Sequence, residues 1–236
     1  MIMEFLTNSF FLIALTFAFF IGAQFLQRKT GVQLLNPILV SIVAMICFLS
    51  GFGIDYDTYA AGGSYIDFWL KPAVVALGVP LYKQLSNIRK QLLPLLVSEL
   101  AGCIVGIVSV VLLAKLFGAT QEVAVSLAPK SVTTPIAMEV SAAIGGIPAL
   151  TAAVVVCTGI FGGMAGFRIV KMSHIRSNIA SSLSIGTAAH AVGTSAVMTR
   201  GERFGAFSSL GLTVNGLFTA LLTPFLLQML GIAGLI

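Results

Sequence analysis

Charge is what this chain has least of. Its 236 residues include 13 Lys and Arg, 8 Asp and Glu and 2 His, against a hydrophobic share of 58%. A soluble domain of that composition could not cover its surface with polar groups, so a soluble fold is excluded. Cysteine is equally sparse. Cys47, Cys103 and Cys157 each stand alone in an apolar run, without the spacing of a disulfide framework or a metal site, and read as packing residues. No Gly-rich phosphate loop follows a strand pattern, no His/Glu pair has metal-ligand spacing, and no nucleophile–base pair is visible. The expectation is therefore no enzyme, no catalytic residue, no metal and no cofactor. The net charge of +5 is not a nucleic-acid signal, because the basic residues lie between apolar runs. The first apolar run lacks a basic segment before it, with Glu4 ahead and Arg28-Lys29 behind, and reads as a span rather than a cleavable signal.

Long apolar runs are what the chain has instead. At 1.5 Å per residue, about 20 apolar residues cross the hydrocarbon core of a bilayer. Such runs cover residues 7–26, 34–52, 92–117, 147–167 and 206–232, with a weaker one at 68–82 that holds Lys71-Pro72 and Pro80. The fold class is all-α: a polytopic helical membrane protein, one transmembrane domain over residues 1–236. Tyr56, Tyr59, Tyr65 and Trp69 fit an interfacial aromatic belt.

Two further segments, 123–143 and 179–197, are apolar but broken. The first carries Pro129-Lys130-Ser131-Val132-Thr133-Thr134-Pro135, and the second Gly186-Thr187-Ala188-Ala189-His190-Ala191-Val192-Gly193-Thr194. Proline removes a backbone donor and blocks the preceding helical turn. Non-helical backbone at membrane depth is tolerated only when it is buried in protein or lines a wet cavity. Charge decides how these segments cross. With Glu4 outside, Arg28-Lys29 fall inside, Asp55, Asp57 and Asp67 outside, Lys83, Arg89 and Lys90 inside, and Lys115 and Glu122 near the outer face. Full crossing by 123–143 would put Arg168, Lys171 and Arg176 outside, against the positive-inside rule. The sequence therefore predicts about six full spans, both termini outside, and two re-entrant segments entering from opposite faces. Eight full crossings with one misplaced basic loop is the alternative. Ser98, Gly102 and Gly106 recur at the same spacing as Thr158, Gly162 and Gly166. That repetition allows an inverted-repeat architecture with close helix approach.

The candidate site lies in the broken segments. Breaks at Pro129 and Pro135 would free backbone donors, and a half-helix N-terminus with Lys130, Ser131, Thr133 and Thr134 suits a small carboxylate. A lysine at the bilayer centre otherwise costs about 2.5–3.5 kcal/mol; the bland reading is that Lys130 snorkels to the surface. In the second segment, with breaks at Gly186 and Gly193, Thr187, His190 and Thr194 are candidates to meet substrate. His190 titrates near neutrality and is a candidate for proton coupling or for a structural hydrogen bond. Glu139 is the other coupling candidate; the alternative is that it pairs with Lys130 across part of the broken segment. Glu99 is an ionisable group in a span, read as lying near the cytoplasmic end and solvated. His174 reads as surface.

At these residues the chain resembles the LrgB/CidB family of bacterial inner-membrane proteins. The matching pieces are Leu35-Asn36-Pro37, Gly53-Ile54-Asp55-Tyr56 with Tyr59, Pro80-Leu81-Tyr82, the Pro129–Pro135 motif, Gly145-Gly146-Ile147-Pro148, the Gly186–Thr194 motif and Gly205-Ala206-Phe207-Ser208-Ser209-Leu210. The resemblance implies a multi-pass inner-membrane location and a smaller LrgA/CidA-type membrane partner, and it allows homo-oligomers. Its functional implication is divided: holin- or antiholin-like modulation of murein hydrolase activity and lysis, or transport of small monocarboxylates such as pyruvate or glycolate, with proton coupling as an option. Two polar breaks held inside a bundle favour transport, because a pore-forming holin needs only self-associating spans.

Overall fold

A computed structural model of the chain describes residues 2–32, 35–76 and 78–231. Leu34 and Ile232, at the ends of two expected spans, lie outside the described residues, as do the side chains of Asp67, Lys71 and Pro80. Every regular element among the described residues is helical, which makes this a polytopic helical membrane protein. The chain, expected as one domain, forms two compact units, residues 1–76 and 77–236.

The first unit holds α1 (Ile2–Leu6), α2 (Ser9–Thr30), α3 (Pro37–Phe52) and α4 (Tyr56–Ala76). Its boundaries are set by local chemistry. The Asn8 and Asn36 side chains accept from the first free N–H groups of α2 and α3, as N-caps do. Gly31 and Gly53 end those helices at φ 66° and 63°, where a side chain would be strained. Phe48 of α3 meets Phe11 and Phe19 of α2. The Tyr59 hydroxyl of α4 lies 3.4 Å from Thr16 of α2. Tyr59 is thus half-buried, while Tyr56, Tyr65 and Trp69 are exposed, as a belt requires.

The second unit holds α5 (Gly78–Lys83), α6 (Leu85–Lys90), α7 (Leu92–Leu116), α8 (Gln121–Leu127), α9 (Thr134–Ala143), α10 (Pro148–Met172), α11 (Asn178–Met198) and α12 (Glu202–Met229). Among the described residues, four helices are long and apolar enough to cross a bilayer: α2, α7, α10 and α12. Of the other two expected spans, α3 is apolar but has 16 residues, about 24 Å at 1.5 Å per residue. Residues 68–82 divide between α4 and α5. α4 starts earlier than the apolar run because its polar first turns pack on α2, with Gly62 against Ser9.

The broken segments fold back on themselves. Ser126, before the first break, and Ser141, after it, both meet the start of α10. The Thr151 Oγ1 contacts Ser126 O at 2.9 Å and Ser141 Oγ at 2.7 Å, and Ile147 N–H donates to Ser126 Oγ at 2.7 Å. α8 and α9 are therefore the two arms of a hairpin, A, whose tip is residues 128–133. α11 is interrupted at Ala189 (φ −128°, ψ 18°) and His190 (φ 42°, ψ −147°). Gly186 lies against the Ser208 carbonyl, and Thr194 accepts from the Ser208 hydroxyl at 3.0 Å. Residues either side of this break thus share one level on α12, which makes α11 a second hairpin, B.

The hairpins enter from opposite ends. Leu95, near the start of α7, packs with Ile88, Leu183 and Phe207, while the far end of α7 packs with Leu227. α7 and α12 therefore run parallel. α10 begins at hairpin A and ends where Phe167 and Val170 pack with Ile185, Val197 and Phe204. Lys83 pairs with Glu202 at 2.7 Å, and the Arg200 guanidinium sits 3.5 Å from the Phe167 ring centroid. Lys83, Arg89, Lys90, Arg168, Lys171, Arg176, Arg200 and Arg203 thus gather at the end where hairpin B enters. Lys115 and Glu122 lie at the end where hairpin A enters. By the positive-inside rule the basic end is the one expected to face the cytoplasm. A cysteine at Ser173, in a chain with Cys47, Cys103 and Cys157 replaced, is expected to resist an impermeant thiol reagent in intact cells and react after permeabilisation. Labelling from outside would invert the assignment.

Candidate functional site

The two hairpin tips meet between α7, α10 and α12. Val132 and Ala137 of hairpin A pack on Val155 of α10. The His190 Nε2, at the tip of hairpin B, lies 2.7 Å from the carbonyl oxygen of the same Val155. A carbonyl only accepts, so Nε2 carries the hydrogen and Nδ1 the lone pair. Asn215 of α12 ties the tips together. Its amide donates to the Thr187 carbonyl at 2.9 Å and approaches the Ser131 carbonyl at 3.5 Å.

Two cavities flank the junction. One, of about 430 Å³, is lined by Ser98, Glu99, Gly102 and Gly106 of α7, with Lys130, Ser131, Thr187 and Asn215. The other, of about 360 Å³, is lined by Thr158, Gly162 and Gly166 of α10, with Lys130 and Ser184. The repeated small-residue triplets of α7 and α10 are thus the walls of the two cavities. Lys130 lines both. Its Nζ donates to Ser131 Oγ at 2.9 Å and makes no ion pair with a described residue. It is half-buried at the tip rather than extended to an outer surface. Both cavities continue to Ile175 in the α10–α11 connection, and one reaches Ser173, so both extend toward the basic end.

The remaining candidates separate. Ser131 and Thr187 line the first cavity with Lys130, whereas Thr133 and Thr134 line neither. Thr133 occupies the N-cap position of α9 without a side-chain cap bond, and Pro135 sits in the first turn of α9. Pro135 therefore starts a helix rather than breaking one, because a missing N–H costs nothing there. Thr194 is fully buried against Ser208, outside both cavities. Gly186 and Gly193, expected to break the second segment, are packing positions instead. A Cβ at Gly186 would overlap the Ser208 carbonyl, and one at Gly193 would come within 2.5 Å of Ala189. The break falls at Ala189–His190.

Glu139 is exposed on α9, away from the face that buries Ala137, Val140 and Ser141, and makes no pair with Lys130. The pairing fails because the break turns α9 back along hairpin A. Glu99 is the reverse case: expected to be solvated, it is 1% exposed. It lines the first cavity with Lys130, and the sequence named it without a partner. Asn215 was missed; an amide inside the 206–232 apolar run was the available signal. His174 is exposed. Among the described residues no three His, Cys, Asp or Glu side chains converge as a metal site would require.

The class of protein is defined by these features: a multi-pass helical membrane protein in which two opposed re-entrant hairpins meet at a polar junction. The chain belongs to the LrgB-like family, which matches residues 16–229. It is 34% identical to YxaC of Bacillus subtilis over 213 residues, 90% of this chain and 93% of that protein. It is 34% identical over 216 residues to the holin-like protein CidB of Staphylococcus aureus strain N315, covering 92% and 94% of the two chains. With the antiholin-like protein LrgB of Bacillus mycoides it shares 32% identity over 226 residues, 96% of this chain and 98% of that one. No solved structure matches.

Proposed function

We propose that this chain carries small monocarboxylates, such as pyruvate or glycolate, across a bacterial inner membrane. The observation that carries the proposal is Lys130. It is a cation without an ion-pair partner among the described residues, held on non-helical backbone at the junction of two cavities. Opposed broken elements meeting within the bundle are how many carriers build an alternating-access site. A cavity of this size suits a small molecule oriented by a few polar groups. Lys130 and Ser131 would bind the carboxylate, with the N-terminus of α9 adding a favourable dipole. Transport includes no chemical step, so the reading includes no enzymatic activity and no cofactor.

The relatives' names support a second reading, as a holin- or antiholin-like modulator of murein hydrolase activity and lysis. A small membrane protein of the LrgA/CidA type is the expected partner under either reading. Purified chain in proteoliposomes, alone and with such a partner, separates the two. Saturable uptake of radiolabelled pyruvate or glycolate, with retention of an entrapped dye, is the expected result. Dye release without saturable uptake would replace the carrier with a pore.

A further inference from the structure

Glu99 and Thr187 form a short hydrogen-bond chain that ends on a backbone carbonyl. Thr187 Oγ1 lies 2.6 Å from Glu99 Oε1 and 2.8 Å from the Leu183 carbonyl oxygen. The Thr187 hydroxyl has one hydrogen and two acceptors. If Glu99 were ionised, one of these short contacts would join two oxygens with no hydrogen between them. A proton on Glu99 Oε1 resolves the count: Glu99 donates to Thr187, and Thr187 donates to Leu183. Gly211 leaves room for this arrangement. A Cβ there would come within 3.1 Å of both Glu99 Oε1 and Thr187 Oγ1 and 2.7 Å of the Leu183 oxygen.

The surroundings agree. Glu99 is 1% exposed, and among the described residues its Oε2 has no hydrogen-bond partner; nor does Oδ1 of Asn215 in the same cavity wall. No described cation forms an ion pair with Glu99. A buried ionised carboxylate without a partner is strongly disfavoured, whereas a neutral carboxyl is tolerated. The titratable and charged groups on the elements packed against α7 can be named. They are Lys130 across the cavity, Glu122 on α8, Arg89 and Lys90 on α6, His190 on α11, and Glu202 and Arg203 on α12. Cys103 lies one turn along α7 itself. Lys130 shares the cavity wall with Glu99, so a carboxylate bound at Lys130 would sit beside this carboxyl.

We propose that Glu99 is the proton-carrying site of the transport cycle, its Oε1 proton held against Thr187. The inference rests on the carrier reading above. It replaces His190 and Glu139 as coupling groups: His190 is committed to the Val155 carbonyl, and Glu139 is exposed. In the cycle the O–H bond at Oε1 forms with a proton taken from water on one face of the membrane. It breaks when that proton passes to water on the other face; no electron moves. The neutral carboxyl lets a monocarboxylate occupy Lys130 without a second anion beside it, which couples proton and substrate.

Two measurements on the full chain test this. In proteoliposomes, uptake of radiolabelled pyruvate by the wild type should be stimulated by an acid-outside pH gradient, and Glu99→Gln should reduce it to the level without a gradient. Glu99→Asp, which keeps a carboxyl, should retain part of the stimulation. Full stimulation in Glu99→Gln overturns the proposal. In parallel, infrared difference spectra of wild type against Glu99→Gln, at neutral pH in light and heavy water, should show the carbonyl stretch of one protonated carboxyl. Its absence also overturns the proposal, even where the glutamine variant transports nothing. If the wild type itself takes up no pyruvate while the infrared band is present, the carrier reading for this probe fails and the protonated site stands.

Discussion

Lys130→Met is expected to reduce pyruvate uptake about 10- to 100-fold at equal amounts of inserted protein. The size follows from a charge-assisted hydrogen bond, worth roughly 1.5–3 kcal/mol, lost from a site with no replacement cation. Lys130 touches only Ser131 among described side-chain partners, so removing its charge strands no buried anion, and the fold should persist. Lys130→Arg keeps the charge but spreads it over a planar fork and should retain part of the uptake. Initial rates in proteoliposomes, normalised to protein recovered by size-exclusion chromatography, make the comparison. Wild-type rates in the methionine variant would remove Lys130 from the substrate path.

The second large effect is structural. Gly186→Ala is expected to destabilise the second unit by about 1–3 kcal/mol or more, the range for overpacking a core. The new Cβ would overlap the Ser208 carbonyl of α12, and a backbone atom cannot swing aside as a side chain can. Gly163→Ala supplies the contrast. It lies in α10, but the nearest atom to its Cβ would be 3.7 Å away. There the gain in helix propensity, roughly 1 kcal/mol, meets no clash. Thermal unfolding of both variants in detergent should show a lower midpoint for Gly186→Ala and an unchanged or higher one for Gly163→Ala. Equal midpoints would mean that hairpin B does not pack on α12 as described.

What the sequence made legible was governed by local chemistry. Pro129 and the run of hydroxyls after it announce a break that the chain makes at residues 128–133, and the charge pattern indicates that 123–143 returns to the side it entered. The small-residue triplets could be paired by spacing alone. What was not legible depended on partners distant in sequence. A glycine inside a span reads the same whether it breaks a helix or admits a neighbour. Only the Ser208 carbonyl beside Gly186 decides that case. The second break falls at His190 because its ring N–H is captured by Val155, 35 residues earlier. Glu99 could be noticed as an acid in an apolar run, but its isolation depends on Thr187, which is 88 residues away. Glu139 illustrates the reverse: it lies only nine residues after Lys130 in the sequence, and the reversal of direction inside hairpin A undoes that proximity.

The pairing of α7 with hairpin A and of α10 with hairpin B has a mechanical corollary. α7 and α10 run in opposite directions, and each hairpin enters from the end at which its preceding helix finishes. The two modules thus run in opposite directions through the unit. Hairpin A is stitched to the head of α10 by Ser126, Ser141 and Thr151, while the cavities run toward the basic end. Under the carrier reading proposed above, exchanging the poses of the two modules would seal that end and open the opposite one, with Lys130 still at the crossing. Only the Asn215 amide bridges the tips directly among the described hydrogen bonds, at roughly 1 kcal/mol per bond. Parting the tips therefore breaks few direct hydrogen bonds, and under the carrier reading proposed above the inverted halves would supply the plan of a second shape.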